Sequence, residues 1–302
     1  MPRGCGRVTG DWKAHVHCLG MKSLRKRIIA ILSLPLLRPV AVLILRGVVY
    51  LHIGFRHRYT PFTVMIVGGR GGLDPYTKWL RRCRIVHAIG VEPESSGLEA
   101  LQKTKAYDTI VHQGLAETQK KATLYITKAR GWCSLLRPDE TAIKRVASPI
   151  CLSARPFEIV KTETIDLTTL DTIMPTLPQI DFLQIDVQGA ELQVLKGAKE
   201  SLKNIAMIEL EVRFYPIYED EPSWNDLHTF LQENGFLLVH MTRQGEREFG
   251  TTFVEANACY VHASTTRDRE RMATLHAYAK AKHDFYTHRF LRLLADLDCS
   301  SH

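Results

Sequence analysis

The chain has 302 residues, of which 45% are hydrophobic and 24% charged, with a net charge of +8; this composition is ordinary for a soluble globular protein of one large domain with or without appendages. Its seven cysteines are scattered and never spaced C-x-x-C, which argues against a disulfide framework or a structural zinc site and for a reducing, cytoplasmic setting. The basic excess sits largely at the two ends and accompanies no zinc-finger spacing or aromatic RNA-binding motif, so nucleic acid is not an expected partner.

Residues 1–20 show no apolar period, and little order is expected there. Met21 is followed by Lys22, Arg25, Lys26 and Arg27 and then by the apolar run Ile28 to Leu37, the outline of a signal-peptide n-region and h-region. Pro35 and Arg38 interrupt it, and no small-residue cleavage site follows. No apolar window reaches the ~20 residues that a spanning helix needs. Residues 22–54 read either as amphipathic helices packed on the domain or as a basic, apolar segment lying on a membrane surface. Residues 1–60 are taken as an N-terminal extension.

From Phe62 the pattern changes. Thr63 to Val67 is a strand, Gly68-Gly69-Arg70-Gly71-Gly72 a glycine loop, and Asp74-Pro75 a helix start, with Asp74 as N-cap and Pro75 at the first helical position. Glycines in such a loop let the backbone approach a ligand closely. A second strand, Ile85 to Val91, ends in Glu92-Pro93. Glu92 lies about where an acid reaches ribose hydroxyls in a nucleotide-binding unit. A solvated turn carboxylate and a purely structural glycine turn are the plainer readings of each feature alone; together, on successive strands, they point to an adenosyl-ribose site. The dinucleotide fingerprint would need a glycine where Asp74 stands, and an acid there opposes a pyrophosphate. S-adenosylmethionine, which has no phosphate, fits better.

A helix from Ser95 to Lys105 leads to a third strand, Tyr107 to His112, and the turn Gln113-Gly114, placed near the adenine. Residues 122–165 alternate short strands (Thr123 to Thr127, Glu158 to Thr164) and loops, as an insertion over the site would. Thr164-Ile165-Asp166 opens a short helical passage. Phe182 to Ile185 is a buried strand, broken at Asp186-Val187-Gln188-Gly189 and followed by one helix whose face carries Glu191, Val194, Leu195, Ala198 and Leu202. Asp186 would look into the crevice beyond the strand ends, though an N-cap role is the plainer reading. For Glu191, first-turn stabilisation by the helix dipole competes with catalysis. Ile205 to Val212, a helix bearing Trp224, Leu227, His228 and Leu231, Phe236 to Met241, and Cys259 to Ala263 complete a doubly wound, mostly parallel, seven-stranded Rossmann-like α/β sheet over residues 61–264. The basic segment 265–302 reads as an amphipathic helix that packs on the domain or pairs two copies.

These residues together resemble the FkbM family of class I methyltransferases, over about Val64 to Ala263. The most specific part is Asp181 to Ala198, D-F-L-Q-I-D-V-Q-G-A-E-L-Q-V-L-K-G-A; Glu92-Pro93 and Thr164-Ile165-Asp166 match two further family elements. The first motif departs from the family's Asp-x-Gly-Ala-Asn-x-Gly, with Ile66 in place of the acid and Arg70 in place of the Asn. The resemblance implies a class I methyltransferase fold, S-adenosylmethionine as cofactor, and O-methylation of a hydroxyl on a sugar, glycan or polyketide-like acceptor. Gly68, Gly69, Arg70, Gly72, Glu92, Gln113, Gly114 and Asp186 are then expected to bind the cofactor, with Asp186 and Glu191 as catalytic carboxylates and no committed metal site. Two other classes fit the same residues: an NAD(P)-binding oxidoreductase, and a degenerate domain kept as an interaction module.

Overall fold

Largely apolar strands such as Phe62–Val67 and Phe182–Ile185 occupy the middle of the main sheet, because a parallel strand with helices on both faces must be mostly apolar on both. The computed structural model describes residues 62–82, 84–147, 155–244 and 249–264, together with Tyr278. The chain divides into two units, Met1–Arg56 and His57–His302, and every described residue belongs to the second. The expected membrane segment 22–54, the N-terminal extension and nearly all of the C-terminal helix lie outside the described residues. No described helix is long and apolar enough to cross a membrane.

In chain order the elements are β1 (Phe62–Val67), α1 (Pro75–Arg82), β2 (Val86–Val91), α2 (Ser95–Thr104), β3 (Thr109–Val111), β4 (Gly114–Leu115), β5 (Lys120–Thr127), α3 (Glu140–Val146), β6 (Ile159–Thr168), α4 (Leu170–Ile173), β7 (Phe182–Ile185), α5 (Glu191–Lys196), α6 (Lys199–Leu202), β8 (Met207–Arg213), α7 (Trp224–Glu233), β9 (Phe236–Gln244) and β10 (Glu255–His262). The seven-stranded sheet has the order β3-β2-β1-β7-β8-β10-β9. Its pairings are parallel from β3 through β8; β10 runs antiparallel to both neighbours. The order reverses between β1 and β7, which opens the crevice where such sheets take ligands.

Local chemistry sets the ends of these elements. Asp74 caps α1, its carboxylate accepting the N–H groups of Tyr76 and Thr77 at 3.0 Å. Ser223 and Asp226 form a reciprocal capping box at the start of α7. The core beneath joins Met65, Ile89, Leu183, Val194, Ile208 and Tyr260, all buried. Tyr278 is buried against α1 and the β1–β7 face, with its ring 5.2 Å from Phe62 and 5.1 Å from Phe182, and its hydroxyl 2.6 Å from that of Thr77.

Two details of the sequence reading change. The single helix expected after Glu191 is two short helices, α5 and α6. Gly197 packs so close to the chain at Ala116 that a Cβ would stand 2.0 Å from the Ala116 carbonyl oxygen, and its own carbonyl accepts the Asp171 N–H instead of continuing the helix. Asp171 also receives the N–H groups of Glu200 and Ser201, so it starts α6. The second change is at Thr164-Ile165-Asp166, which lies inside β6 rather than opening a helix. That strand pairs antiparallel with β5 and parallel with β4 in a separate three-stranded sheet, the frame of the expected insertion. Loops around Trp132 and Phe157, with ring centroids 4.5 Å apart, tie the insertion to Ile217, Tyr218 and Phe249.

Candidate functional site

Three strand ends make the crevice. Val67 of β1 is in register with Val91 of β2 on one side and Ile185 of β7 on the other. The next residues are therefore Gly68, flanked by Glu92 and Asp186. Gly68 has φ +85, and a Cβ there would stand 1.8 Å from the Asp186 carbonyl oxygen, so only glycine fits. The chain continues through a short 3-10 turn, Gly69–Gly71. Tyr107 donates its hydroxyl to the Gly69 carbonyl at 2.9 Å, holding the turn from below.

A cavity of about 470 Å³ opens between this turn and the insertion. On the sheet side its wall includes Gly68, Arg70, Glu92 and Asp186, and on the insertion side Leu124 and Ser134. Glu92 is only 4% exposed. Burial pushes its carboxyl up to about 7, against the opposing pull of the Arg70 charge, His112 and the Arg70 backbone N–H. Gly97 makes room for it, since a Cβ there would meet the Glu92 carboxyl carbon at 2.6 Å. Beside it, buried Glu94 is gripped from two sides. Arg70 of the glycine turn pairs with one of its oxygens, and Arg130 of the insertion reaches the other at 3.4 Å. One carboxylate thus joins the two walls of the cavity.

At the other end Asp186 belongs to a buried polar chain. Gln188 donates from Nε2 to Asp186 Oδ1 at 2.7 Å and to Glu211 Oε2 at 2.9 Å. Its Oε1 accepts from Arg213 Nη2 at 2.7 Å and from the Tyr218 hydroxyl at 3.1 Å. Arg213 is 3% exposed and also pairs with Glu211, with Glu221 at 3.1 Å and with Glu255 at 3.2 Å. Burial works against its charge, but Glu211, Glu221, Tyr218 and Glu255 outweigh it and hold the guanidinium protonated. Burial also raises the Glu211 carboxyl well above its usual range, against the pull of Arg213.

Of the residues expected at the site, Gly68, Arg70, Gly72, Glu92, Gly114 and Asp186 line this one cavity, whereas Gly69, Gln113 and Glu191 are not in its wall. Glu191 is buried and turned back on its own loop, accepting the N–H groups of Val187 at 3.1 Å and Gly189 at 3.2 Å. Burial lifts its carboxyl to about 7, with Arg213 opposing. The catalytic expectation for Glu191 therefore gives way to a bracing one, because its carboxylate holds the turn and does not face the cavity. Sequence reasoning passed over Glu94, Arg130, Gln188 and Arg213. Gln188 carried a local signal, since it stands within the turn after a strand; Arg213 carried none beyond an Arg at a strand end. No group of three or more His, Cys, Asp or Glu residues among the described residues could hold a metal ion.

The profile of the Methyltransferase FkbM domain matches residues 67–238, more than half of the chain. The chain belongs to the FkbM methyltransferase family. No curated protein matches it. Among solved structures, the methyltransferase FkbM from Methylobacillus flagellatus KT aligns at 14% identity and a TM-score of 0.41 over 70% of this chain. This chain spans about half, 48%, of that structure's chain. A precorrin-6y C5,15-methyltransferase from Geobacter metallireducens GS-15 aligns at 11% identity and a TM-score of 0.31, covering 72% of this chain and 86% of that one. A SAM-dependent methyltransferase from Aquifex aeolicus gives 10% identity and a TM-score of 0.31, with 66% and 81% covered. Membership rests on the sequence match, not on these distant likenesses.

Proposed function

We propose that this FkbM methyltransferase uses S-adenosylmethionine to methylate a hydroxyl on a sugar, glycan or other small-molecule acceptor. The observation that carries the reading is the convergence of the Gly68 turn, Glu92 and Asp186 on one cavity. A carboxylate at the end of β2 suits a ribose diol, and a glycine turn without a phosphate-binding third glycine suits an adenosyl ligand that lacks a pyrophosphate.

When bound, the cofactor supplies an electrophilic methyl on a sulfonium. Gly68, Glu92 and Asp186 in the cavity wall would hold the cofactor, which would supply the methyl for a new C–O bond in exchange for its C–S bond, the acceptor's proton passing to solvent. Much of the rate in such a displacement comes from holding the two reactants in line. In this chain the positioning surfaces are the ends of β1, β2 and β7 on the cofactor side and the insertion residues Leu124, Ser134 and Leu135 on the other.

Calorimetric titration with S-adenosylhomocysteine and with NAD(P) tests the cofactor. Micromolar binding of the first, lost in Glu92→Ala, is expected; binding of NAD(P) alone would overturn the reading in favour of an oxidoreductase. Incubating the protein with methyl-labelled cofactor and glycan or small-molecule extracts tests the acceptor. A methyl ether keeps its label in mild base and releases it as methyl iodide in hot hydriodic acid, whereas a base-labile label marks a carboxyl ester and sinks the hydroxyl assignment.

A further inference from the structure

The glycine turn in the cavity wall is held at both ends. At its start Tyr107 donates to the Gly69 carbonyl at 2.9 Å, and the Gly72 N–H closes the turn on the same carbonyl at 2.8 Å. At its far end only Leu73 separates Gly72, which lines the cavity, from Asp74. Asp74 joins the turn to α1. Its Oδ1 accepts the N–H groups of Tyr76 and Thr77, and its Oδ2 accepts from the Thr77 hydroxyl. Pro75 follows, with φ fixed by its ring. The position of Asp74 therefore decides how Gly71 and Gly72 present themselves to the cavity.

The Thr77 hydroxyl has a second partner far along the chain. The Tyr278 hydroxyl lies 2.6 Å from it, 201 residues away in sequence and well beyond residue 238, where the family match ends. A carboxylate only accepts, so the Thr77 proton goes to Asp74 and a Thr77 lone pair takes the Tyr278 proton. The relay has one direction, from Tyr278 to Thr77 to Asp74. Burial raises the Tyr278 phenol well above its ordinary value, with the Asp74 charge adding to it, so the donor keeps its proton. Thr77 is 0% and Tyr278 1% exposed, and neither hydroxyl can turn to bulk water instead. The Tyr278 ring packs on Phe62 of β1 and Phe182 of β7, the strands whose ends flank the crevice. A phenylalanine would fill the same space. The hydroxyl costs desolvation unless it is paired, and it is paired to the cap of the helix that leaves the cavity.

We infer that Tyr278 is a positioning residue for the cofactor site: its hydroxyl, acting through Thr77, fixes Asp74 and so sets the end of the glycine turn against the ligand. The inference rests on the cofactor reading above and adds to it a contributor from outside the stretch matched to the family. Tyr278 lines no part of the cavity. Its effect reaches the turn through the hydroxyl relay and the short piece of chain from Asp74 back to Gly72.

The test measures S-adenosylhomocysteine affinity by calorimetry on the full chain, well below its melting temperature, beside the melting temperature itself. Tyr278→Phe keeps the ring and removes the donor. Thr77→Val removes the relay at nearly the same shape, and Thr77→Ser puts the hydroxyl back. Tyr260→Phe is the control for losing a buried tyrosine hydroxyl, since that hydroxyl pairs with His228 at 3.0 Å and Tyr260 is not in the cavity wall. Tyr278→Phe and Thr77→Val should each weaken S-adenosylhomocysteine about three- to tenfold, the worth of one hydrogen bond. The double variant should bind no more weakly than Thr77→Val alone, because both changes break one relay. Thr77→Ser should recover most of the loss, and Tyr260→Phe should stay within about twofold of the wild type. A lower melting temperature with unchanged affinity in Tyr278→Phe assigns the hydroxyl to packing alone and overturns the inference while the cofactor reading stands. Additive losses in the double variant overturn it too. A wild-type chain that binds no S-adenosylhomocysteine sinks both. Should Thr77→Val not fold, Tyr278→Phe against Tyr260→Phe decides alone.

Discussion

Gly68 and Asp186 touch through their backbones, and a methyl group on Gly68 would stand 1.8 Å from the Asp186 carbonyl oxygen. The contact brings the β1 turn against the end of β7, where the site lies. Gly68→Ala forces both that clash and a left-handed φ of +85 on an alanine. The expected cost is more than about 2 kcal/mol, which lowers the melting temperature by several degrees or prevents folding. Gly71→Ala is the control, since nothing stands within 4 Å of a Cβ there. Equal melting temperatures for the two variants would contradict the geometry.

Glu92 should couple cofactor binding to protons. Its carboxyl titrates at about 7 because it is buried. A ribose diol donates to the ionised form, so binding lowers that value and releases a proton near neutral pH. Affinity for S-adenosylhomocysteine should therefore weaken as pH falls below 7 and become pH-independent in Glu92→Gln. Titrations in two buffers of different ionisation enthalpy read the released proton directly; identical apparent enthalpies would rule the coupling out.

The same direction of shift makes the folded state more stable in mild acid. Glu191 has a folded value near 7, raised from 4.5 by burial. Its contribution is fully present below the unfolded value and is lost as pH rises through 7. Stability should rise from pH 8 to pH 5, and Glu191→Gln should remove part of the slope, on the order of 1 to 3 kcal/mol. Glu92 and Glu211 are shifted in the same direction and supply the remainder. Glu191→Ala should instead destabilise at every pH, because the Val187 and Gly189 N–H groups lose their acceptor. Urea unfolding across that pH range separates the two.

The Arg70–Glu94–Arg130 grip joins the glycine turn to the insertion. Arg130 is 44% exposed, and a half-exposed ion pair is worth less than about 1 kcal/mol. Arg130→Ala should thus leave the melting temperature nearly unchanged. Amide exchange around residues 130–135 should quicken, and S-adenosylhomocysteine should both enter and leave faster in stopped-flow traces. Unchanged rates would show that the grip does not gate the cavity.

The amino-acid sequence by itself determined the half of the cavity that the strand ends build. A glycine loop after one strand, an acid after the next and Asp186 after a third are local features, and strand, turn and helix starts such as Asp74-Pro75 obey local rules. Register then brings them together with no further information. What only the tertiary structure decided is the polar wiring behind and across the cavity. Arg213 meets Gln188 across 25 residues of chain, and Arg130 meets Glu94 across 36, contacts set by how the insertion and β8 pack rather than by any periodic signal. Glu191 belongs to the same lesson. Its place on an apolar helical stripe was readable, but the direction of its carboxylate was fixed by the two N–H groups that the turn left without partners.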